Sequence, residues 1–372
     1  MHKILNLIHF VSHTTNQVAV ILQLLIAIHC CWRSIEISME LFRSNETGNT
    51  TTADPDNSFP KWEFLSIICC LSFIGIVGNA AVCFVIYRTK AMHNATNYLI
   101  VNLAVADLFV CVFTVMQLLI YVFDLWPSSV IGKKLFCYFF FNELFLWIAT
   151  IASPLALVLV SFERFIGIVY PLHYNGLVTN TRLRVVVLSQ WFISVAPEII
   201  SFSFTHLSAE LDVCYSDSPE IADYILYTTQ LFLRFVFPIT ALVYLYYRMF
   251  ASLRQYARIG VNASNNQAEK ETVRARKNIL INLLIITVLF IALLTPCQLV
   301  VFFHDISVRG ELPEGEAGAP SEPVDIHISL IFNNILVLCN SVVNPLVYAL
   351  RYKQFKRAAI IAYRDASCKS SS

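Results

Sequence analysis

The residues of this sequence most able to do chemistry are a few polar side chains set inside long apolar stretches. They are Asn79, Asp107, Asn340, Ser341 and Asn344. Ionisable and amide groups are costly in apolar surroundings, so each one is a candidate for a functional role. Asp107 also fits a plainer structural role, as a buried neutral carboxyl group that is hydrogen-bonded to its neighbours. Because the sequence offers no paired nucleophile and base and no metal-binding triad, it does not predict an enzyme.

The composition decides what surrounds these residues. Hydrophobic residues make up 57% of the 372 residues and charged residues 14%, whereas an ordinary soluble domain is about 25% charged. Such a chain requires lipid as its solvent. The net charge is +1, and no basic run is combined with stacking aromatic residues, so nucleic-acid binding is excluded. The absence of a CxxC pair and of His/Cys clusters with metal-ligand spacing argues against a zinc or redox site.

Seven apolar stretches are long enough to cross a membrane. The hydrocarbon core is about 30 Å thick and a helix rises about 1.5 Å per residue, so a crossing needs about 20 residues. Each stretch must be helical, because unpaired backbone groups are costly in lipid. The sequence therefore predicts an all-α membrane protein, a seven-transmembrane helix bundle. The predicted spans are Phe64–Tyr87, Tyr98–Phe123, Phe139–Val169, Val185–Phe204, Tyr224–Phe250, Ile279–Phe303 and His327–Leu350.

The lysine and arginine residues indicate how the bundle is oriented. They gather in the connections after spans one, three and five and behind span seven, which places those ends in the cytoplasm. The opposite loops are acidic, so we expect a multi-pass plasma-membrane protein with an extracellular N-terminus. Two glycosylation sequons, at Asn45 and Asn49, precede the first span and agree with that orientation.

The chain divides into three parts. Residues 1–62 are an extracellular tail that is glycosylated within 45–51, residues 63–351 are the bundle, and residues 352–372 are the cytoplasmic C-terminal segment. An apolar stretch near residues 16–32 permits two interpretations, a cleaved signal peptide or a membrane anchor, and the sequence leaves both open.

The polar positions within the spans also form a pattern. In chain order its parts are Gly78-Asn79 with Val82, Asn102 to Asp107, Glu163-Arg164-Phe165, Trp191, Pro238, Pro296 and Asn344-Pro345-Leu346-Val347-Tyr348. This order resembles that of the rhodopsin-like (class A) G-protein-coupled receptors, over about residues 60–364. The resemblance implies a receptor that binds an extracellular ligand and activates a heterotrimeric G protein, with arrestin and a receptor kinase as further partners. A small secondary transporter is the alternative from another class, although the sequence shows no duplicated halves.

The resemblance assigns the polar residues of the core to an ion pocket. Asp107, Ser153, Asn340, Ser341 and Asn344 are similar to the family's sodium and water pocket. Hard oxygen ligands around a carboxylate suit such an ion. An allosteric sodium ion is therefore expected, and no other cofactor.

A further set of residues resembles the family's activation switch. Glu163 and Arg164 would form an ion pair at the cytoplasmic end of span three, and its release would give the bundle a two-state element. Taken alone, an interfacial ion pair that anchors a helix end would explain the same two residues. The full set is Asn79, Glu163, Arg164, Tyr246, Phe290, Pro296, Pro345 and Tyr348.

The resemblance extends to both faces of the membrane. On the outer face, Cys137 and Cys214 are similar to the family's disulfide between span three and the second outer loop, which an oxidising compartment permits. On the inner face, residues 352–357 are amphipathic and resemble the short eighth helix along the membrane surface. Cys368 behind it is a candidate for palmitoylation.

Three departures from the family pattern concern the trigger of the receptor. Leu294 stands in span six where the family usually has tryptophan, and Pro154 stands in span three where an aliphatic residue is usual. Span three also has two more residues between Cys137 and Arg164 than the usual spacing. We expect the extra length to form a bulge or an altered kink around Pro154.

The outer half of the bundle suggests the kind of ligand. The amine receptors of the family carry an aspartate in span three where this chain has Leu146 or Leu144, depending on the end from which the extra residues are counted. Arg234 is deep in span five and needs a carboxylate partner, from Glu143 or from a ligand. Acidic outer loops and a mixed polar pocket favour a neuropeptide with a basic part, and a lipid or small organic anion is the alternative. The candidate ligand-binding residues are Gln117, Glu143, Gln230, Arg234, Gln298 and His304, near Tyr121 and Trp147.

Overall fold

The fold is a bundle of membrane-spanning helices, as predicted. The computed structural model describes residues 61–123, 125–141, 143–208, 214–263, 280–281, 283–295, 324–351, 355 and 357–361. Within these residues, five helices are long and apolar enough to cross a membrane. Two shorter apolar stretches of helix lie where the sixth and seventh spans are predicted. They are Leu283–Thr295 and Ile335–Ala349, and the second is part of a longer helix.

The helices follow the predicted spans with shifted ends. The first four spans are Lys61–Arg88, Ala95–Phe123, Leu144–Val169 and Asn180–Phe202. The fifth span consists of Glu220–Leu231, the π-helical turn Phe232–Val236 and Phe237–Ala263, and the seventh span is Val324–Arg351. Short helical segments in the connections are Lys90–Met92, Val130–Phe136, Pro171–His173 and Tyr174–Leu177.

The third span is the central helix of the bundle. In its most apolar stretch 83% of the residues are buried, against 22% in the fourth span and 11% in the fifth. Around it, the side chains of Leu242, Met249 and Phe290 are almost fully enclosed. The other spans leave apolar side chains on the outside, where lipid takes the place of a protein partner.

Two glycines bring the first span against its neighbours. A Cβ atom on Gly75 would lie 2.3 Å from Cys111 Sγ, and one on Gly78 would lie 2.9 Å from Pro345 Cγ. Both distances are too short for a side chain, so the helices can approach this closely only because glycine has none. The close approach places Asn79 against the backbone of the seventh span.

The extra residues of span three are taken up at its outer end, so the expected bulge around Pro154 was wrong, and an altered kink there stays a prediction. Cys137–Phe141 form a π-helical turn, and Glu143 then takes a left-handed backbone conformation with φ 49°. From Leu144 the helix continues through Pro154 to Val169. Counting from Arg164 is therefore appropriate, and Leu146 occupies the position of the amine receptors' aspartate.

The second outer loop forms a small hairpin over the bundle. Strand β1, Thr205–Leu207, pairs antiparallel with strand β2, Cys214–Ser216. Cys214 is disulfide-bonded to Cys137, with 5.4 Å between the Cα atoms. The bond ties the hairpin to the outer end of span three.

Candidate functional site

The polar core of the bundle centres on Asp107, which is fully buried. Ser153 Oγ donates a hydrogen bond to Asp107 Oδ1 at 2.7 Å, and Asn344 Nδ2 donates one to Oδ2 at 2.7 Å. The contacts join the second, third and seventh spans through one carboxyl group. A buried carboxyl group requires such partners, since an unpaired charge in lipid is costly.

Asn79 extends this polar core to the first span. Its side-chain amide donates to Gly75 O at 3.0 Å and to Ser341 O at 3.1 Å. The side-chain hydroxyl of Ser341 is buried and lies close enough to the carboxyl group of Asp107 to interact with it.

A small cavity of about 20 Å³ adjoins the core. This space is enough for one water molecule or one small ion. Its polar lining residues include Thr150, Ser153, Asn340, Ser341 and Arg234. The hydroxyls of Ser153 and Ser341 with the carboxyl group of Asp107 supply hard oxygen ligands, so the residues fit a sodium ion.

A second polar cluster lies at the cytoplasmic end of span three, around the buried Glu163. Arg164 Nε lies 3.0 Å from Glu163 Oε2, and Thr96 Oγ1 donates a hydrogen bond to the same oxygen at 2.9 Å. The other carboxylate oxygen, Oε1, accepts a hydrogen bond from the hydroxyl of Tyr174. Three elements of the cytoplasmic face therefore hold one carboxylate.

The environment of Tyr174 keeps its hydroxyl a donor. Burial, followed by the hydrogen bond to Glu163 and its negative charge, raises the pKa of Tyr174 to about 12. The phenol is thus protonated throughout the physiological pH range. Sequence reasoning had not singled out Tyr174 or Thr96, because neither belongs to the motif that contains Glu163.

Three further residues of the predicted switch, Tyr246, Phe290 and Tyr348, lie in the core of the bundle. Tyr246 OH is 3.2 Å from Ser161 Oγ and accepts a hydrogen bond from Thr287 Oγ1 at 3.0 Å. Phe290 and Tyr348 are also buried, in the same hydrophobic cluster as Tyr246. Arg164 is paired with Glu163, and Tyr246 is in contact with Ser161 and Thr287. This arrangement corresponds to the state of the predicted switch in which Glu163 holds Arg164.

A larger cavity of about 410 Å³ opens beside Arg164 on the cytoplasmic face. It lies between the start of the second span, the end of the third and the second cytoplasmic loop. Its lining residues are Asn94, Thr96, Arg164, Gly167, Ile168, Pro171, Tyr174 and Asn175.

The outer half of the bundle contains a buried ion pair between the fourth and fifth spans. Arg234 Nη2 lies 3.2 Å from Glu198 Oε1, and the two side chains are only 12% and 3% exposed. Gln230, one turn before Arg234, donates to the same oxygen at 2.9 Å. Arg234 lies within the π-helical turn Phe232–Val236, which sets the direction of this part of the helix.

The partner of Arg234 differs from the expected one. The sequence suggested Glu143 or a ligand, whereas the structure pairs Arg234 with Glu198. Glu143 lies near enough to interact electrostatically with Arg234, but its side chain has no ion pair or hydrogen bond within the described residues. The guanidinium group also stacks over the ring of Trp147, 4.3 Å from its centroid, a favourable contact for a cation.

Glu198 is the main site residue that sequence reasoning missed. A signal was available, because Glu198 is a carboxylate inside the predicted fourth span, and an ionisable residue in lipid is a functional candidate. Among the other candidate ligand-binding residues, Gln117 is half-buried on the second span and makes no side-chain hydrogen bond in the described part. The side chain of Tyr121, and all of Gln298, His304, Pro296, Asn45, Asn49 and Cys368, lie outside the described residues.

The chain matches the family described as 7 transmembrane receptor (rhodopsin family) over residues 78–348. It therefore belongs to the rhodopsin family of seven-transmembrane receptors. As a member it is a G-protein-coupled receptor of the plasma membrane and not an enzyme, and the transporter alternative is set aside.

Relatives with different ligands in their names show similar levels of identity. The adenosine receptor A2a of Canis lupus familiaris is 25% identical over 317 residues, 80% of this chain and 71% of that receptor. The neuropeptide FF receptor 2 of Mus musculus is 26% identical over 325 residues, 82% of this chain and 74% of the relative. The trace amine-associated receptor 2 of Mus musculus is 27% identical over 341 residues, 87% and 92% of the two chains.

Proposed function

We propose that this receptor binds an extracellular neuropeptide and converts the binding into activation of a heterotrimeric G protein. The observation that carries the proposal is the buried cluster of Glu198, Gln230 and Arg234 in the outer half of the bundle. Burying two charges costs desolvation free energy that the attraction between them often does not offset. A buried ion pair therefore favours a role other than stability. A cluster with both charges, the amide of Gln230 and the indole of Trp147 beside Arg234 offers the mixed contacts that a peptide makes.

A peptide ligand is compatible with the matched relatives, and two structural observations argue against other ligand classes. Relatives include receptors named for neuropeptide FF and, in Drosophila melanogaster, for RYamide. Against an amine ligand, the position of the amine receptors' aspartate is occupied by Leu146, which is 3% exposed and packs among apolar residues. Against a lipid or small organic anion, Arg234 is already neutralised by Glu198.

The signalling step of the proposal runs through Glu163 and Arg164. Ligand binding would shift the bundle from the state in which Arg164 is held by Glu163 toward one in which Arg164 is released to the G protein. Arrestin and a receptor kinase would act on the same cytoplasmic face after activation. In this orientation the N-terminal segment is extracellular, glycosylated at Asn45 and Asn49, and removing both sequons should remove the size shift produced by glycosidase.

Sodium is proposed as an allosteric ligand of the pocket around Asp107. A sodium ion there would be held by the oxygen atoms of Asp107, Ser153 and Ser341, and it would favour the state that the pocket fits. We expect Asp107→Asn to abolish any effect of sodium on agonist affinity. An unchanged sodium effect in that variant would contradict the pocket.

The ligand is tested by screening a neuropeptide library on cells that express the full chain. Calcium and cyclic nucleotide are measured, and cells that express Arg164→Ala at an equal surface level serve as the control. A peptide that signals through the chain and not through the control supports the proposal. Signalling by lipids or organic anions, with none from peptides, would assign the receptor to the alternative class.

A further inference from the structure

Two carboxylates and one guanidinium group lie together in the outer half of the described bundle. Arg234 is paired with Glu198 at 3.2 Å, and Glu143 is near enough to interact electrostatically with Arg234. The side chain of Glu143 has no hydrogen bond or ion pair of its own within the described residues. One negative charge of the three groups is therefore unmatched at a partly buried position, which is costly unless a cation is supplied.

The helix that follows Glu143 does not account for its carboxylate. Glu143 stands directly before Leu144–Val169, where a side chain can cap the first turn, but it makes no capping hydrogen bond. Its backbone is left-handed, with φ 49°, a conformation that glycine, asparagine or aspartate adopts more readily. The attraction of Arg234 for Glu143 is opposed by repulsion from Glu198, which is bonded to the same guanidinium group. The carboxylate thus adds little to stability, which favours a role in binding.

Glu143 also lies where a ligand enters from the outside. It follows the disulfide-bonded Cys137 within about two turns of helix. Of the two carboxylates that the sequence places in span three, Glu143 and Glu163, only Glu143 is in the outer half. Leu146, at the position of the amine receptors' aspartate, is 3% exposed and packs among apolar residues. A cationic group that reaches span three from outside therefore meets Glu143 as its carboxylate.

We propose that Glu143 binds a cationic group of the ligand, either a guanidinium group or an ammonium group. The inference rests on the proposed function and names the ligand chemistry that the outer site accepts. The bound cation balances the charge that is unmatched at Glu143, while Arg234 stays paired with Glu198. A guanidinium group fits better than ammonium, because its parallel N–H groups match both carboxylate oxygens and it is less strongly hydrated.

The first experiment requires no ligand and compares the thermal unfolding midpoints of purified full-length receptors. Glu143→Gln keeps the shape of the side chain and removes the unmatched charge, so its midpoint should equal or exceed that of the wild type. Glu198→Gln is the contrast, because it breaks the ion pair of the same cluster and should lower the midpoint. A midpoint of Glu143→Gln clearly below the wild type, or failure of this variant to fold, would make Glu143 a structural counter-ion and contradict the inference.

The second experiment measures binding of a cation through the rise of the same midpoint with probe concentration. The probe is N-acetyl-arginine amide, and N-acetyl-citrulline amide is its uncharged isostere. We expect only the arginine probe to stabilise the wild type. Glu143→Gln should raise its half-saturating concentration by at least about tenfold, the loss expected for a hydrogen bond to a charged group. Asp217→Asn, which removes a carboxylate that is 57% exposed on the outer hairpin, is the matched control and should bind like the wild type.

A lysine probe, N-acetyl-lysine amide, distinguishes the two kinds of cation. A stronger effect of this probe would assign the site to an ammonium group, and a weaker one to a guanidinium group. No stabilisation of the wild type by either cationic probe, or equal stabilisation of Glu143→Gln, would overturn the inference. The proposed function fails separately, if no neuropeptide in the library activates the receptor.

Discussion

Replacing Tyr174 with phenylalanine should raise the ligand-independent activity of the receptor. The hydroxyl of Tyr174 is one of three groups that hold Glu163 in the paired state, beside Thr96 and Arg164. The substitution removes only that oxygen and keeps the ring, which packs near Gly167. Any change in signalling therefore reports on the hydrogen bond and not on lost packing.

The expected size follows from the hydrogen bond that is lost. A hydrogen bond to a charged group contributes about 1.5–3 kcal/mol to the state that contains it. The phenol is only partly buried, so water replaces part of the bond, and about 1 kcal/mol is a suitable discounted value. A loss of about 1 kcal/mol from the paired state increases the population of a minor active state about fivefold.

The assay is basal G-protein activation at matched surface expression, without ligand. Tyr170→Phe is the matched control, because Tyr170 lies in the same loop and its ring contact with Phe165 survives the change. We expect a rise of about fivefold for Tyr174→Phe and none for the control. Equal activity in the two variants would refute the role of this hydroxyl. The raised pKa of Tyr174, about 12, also predicts a pH dependence. The hydrogen bond contributes fully to stability below the unfolded tyrosine pKa of about 10. This contribution is lost as the pH rises toward 12.

Three further substitutions test other parts of the structure. Arg164→Ala should keep surface expression and abolish G-protein coupling. Full signalling by this variant would contradict the switch hypothesis. Gly78→Ala should lower the yield of folded receptor on size-exclusion chromatography, because its Cβ would lie 2.9 Å from Pro345 Cγ. Gly176→Ala is the control, since its Cβ would have no described heavy atom within 4 Å, and its yield should match the wild type. Cys137→Ser opens a disulfide across 77 residues and should cost about 4 kcal/mol of stability relative to the oxidised wild type. The measurement is the thermal midpoint, and the reduced wild type should behave like the variant.

The general architecture was accessible from the sequence because it depends on local properties. Whether a stretch crosses the membrane follows from its apolar length, and its direction follows from flanking charges, and neither requires knowledge of a neighbour. The motif from Asn79 to Tyr348 could be read in the same way. The structure agrees with this architecture and shows contacts outside the motif, such as the hydrogen bond from Tyr174 to Glu163.

The pairing of charges within the bundle was decided only by the tertiary structure. The sequence predicted Arg234 as a buried cation in need of a carboxylate from Glu143 or a ligand, whereas the structure supplies Glu198, 36 residues earlier in the chain. Which side chains face each other depends on how each helix is rotated about its axis. The π-helical turns Cys137–Phe141 and Phe232–Val236 change that rotation, and their extra residues leave no mark in the apolar pattern. The sequence by itself determined that seven spans would hold a few costly polar groups, and the packing of those spans determined which groups would meet.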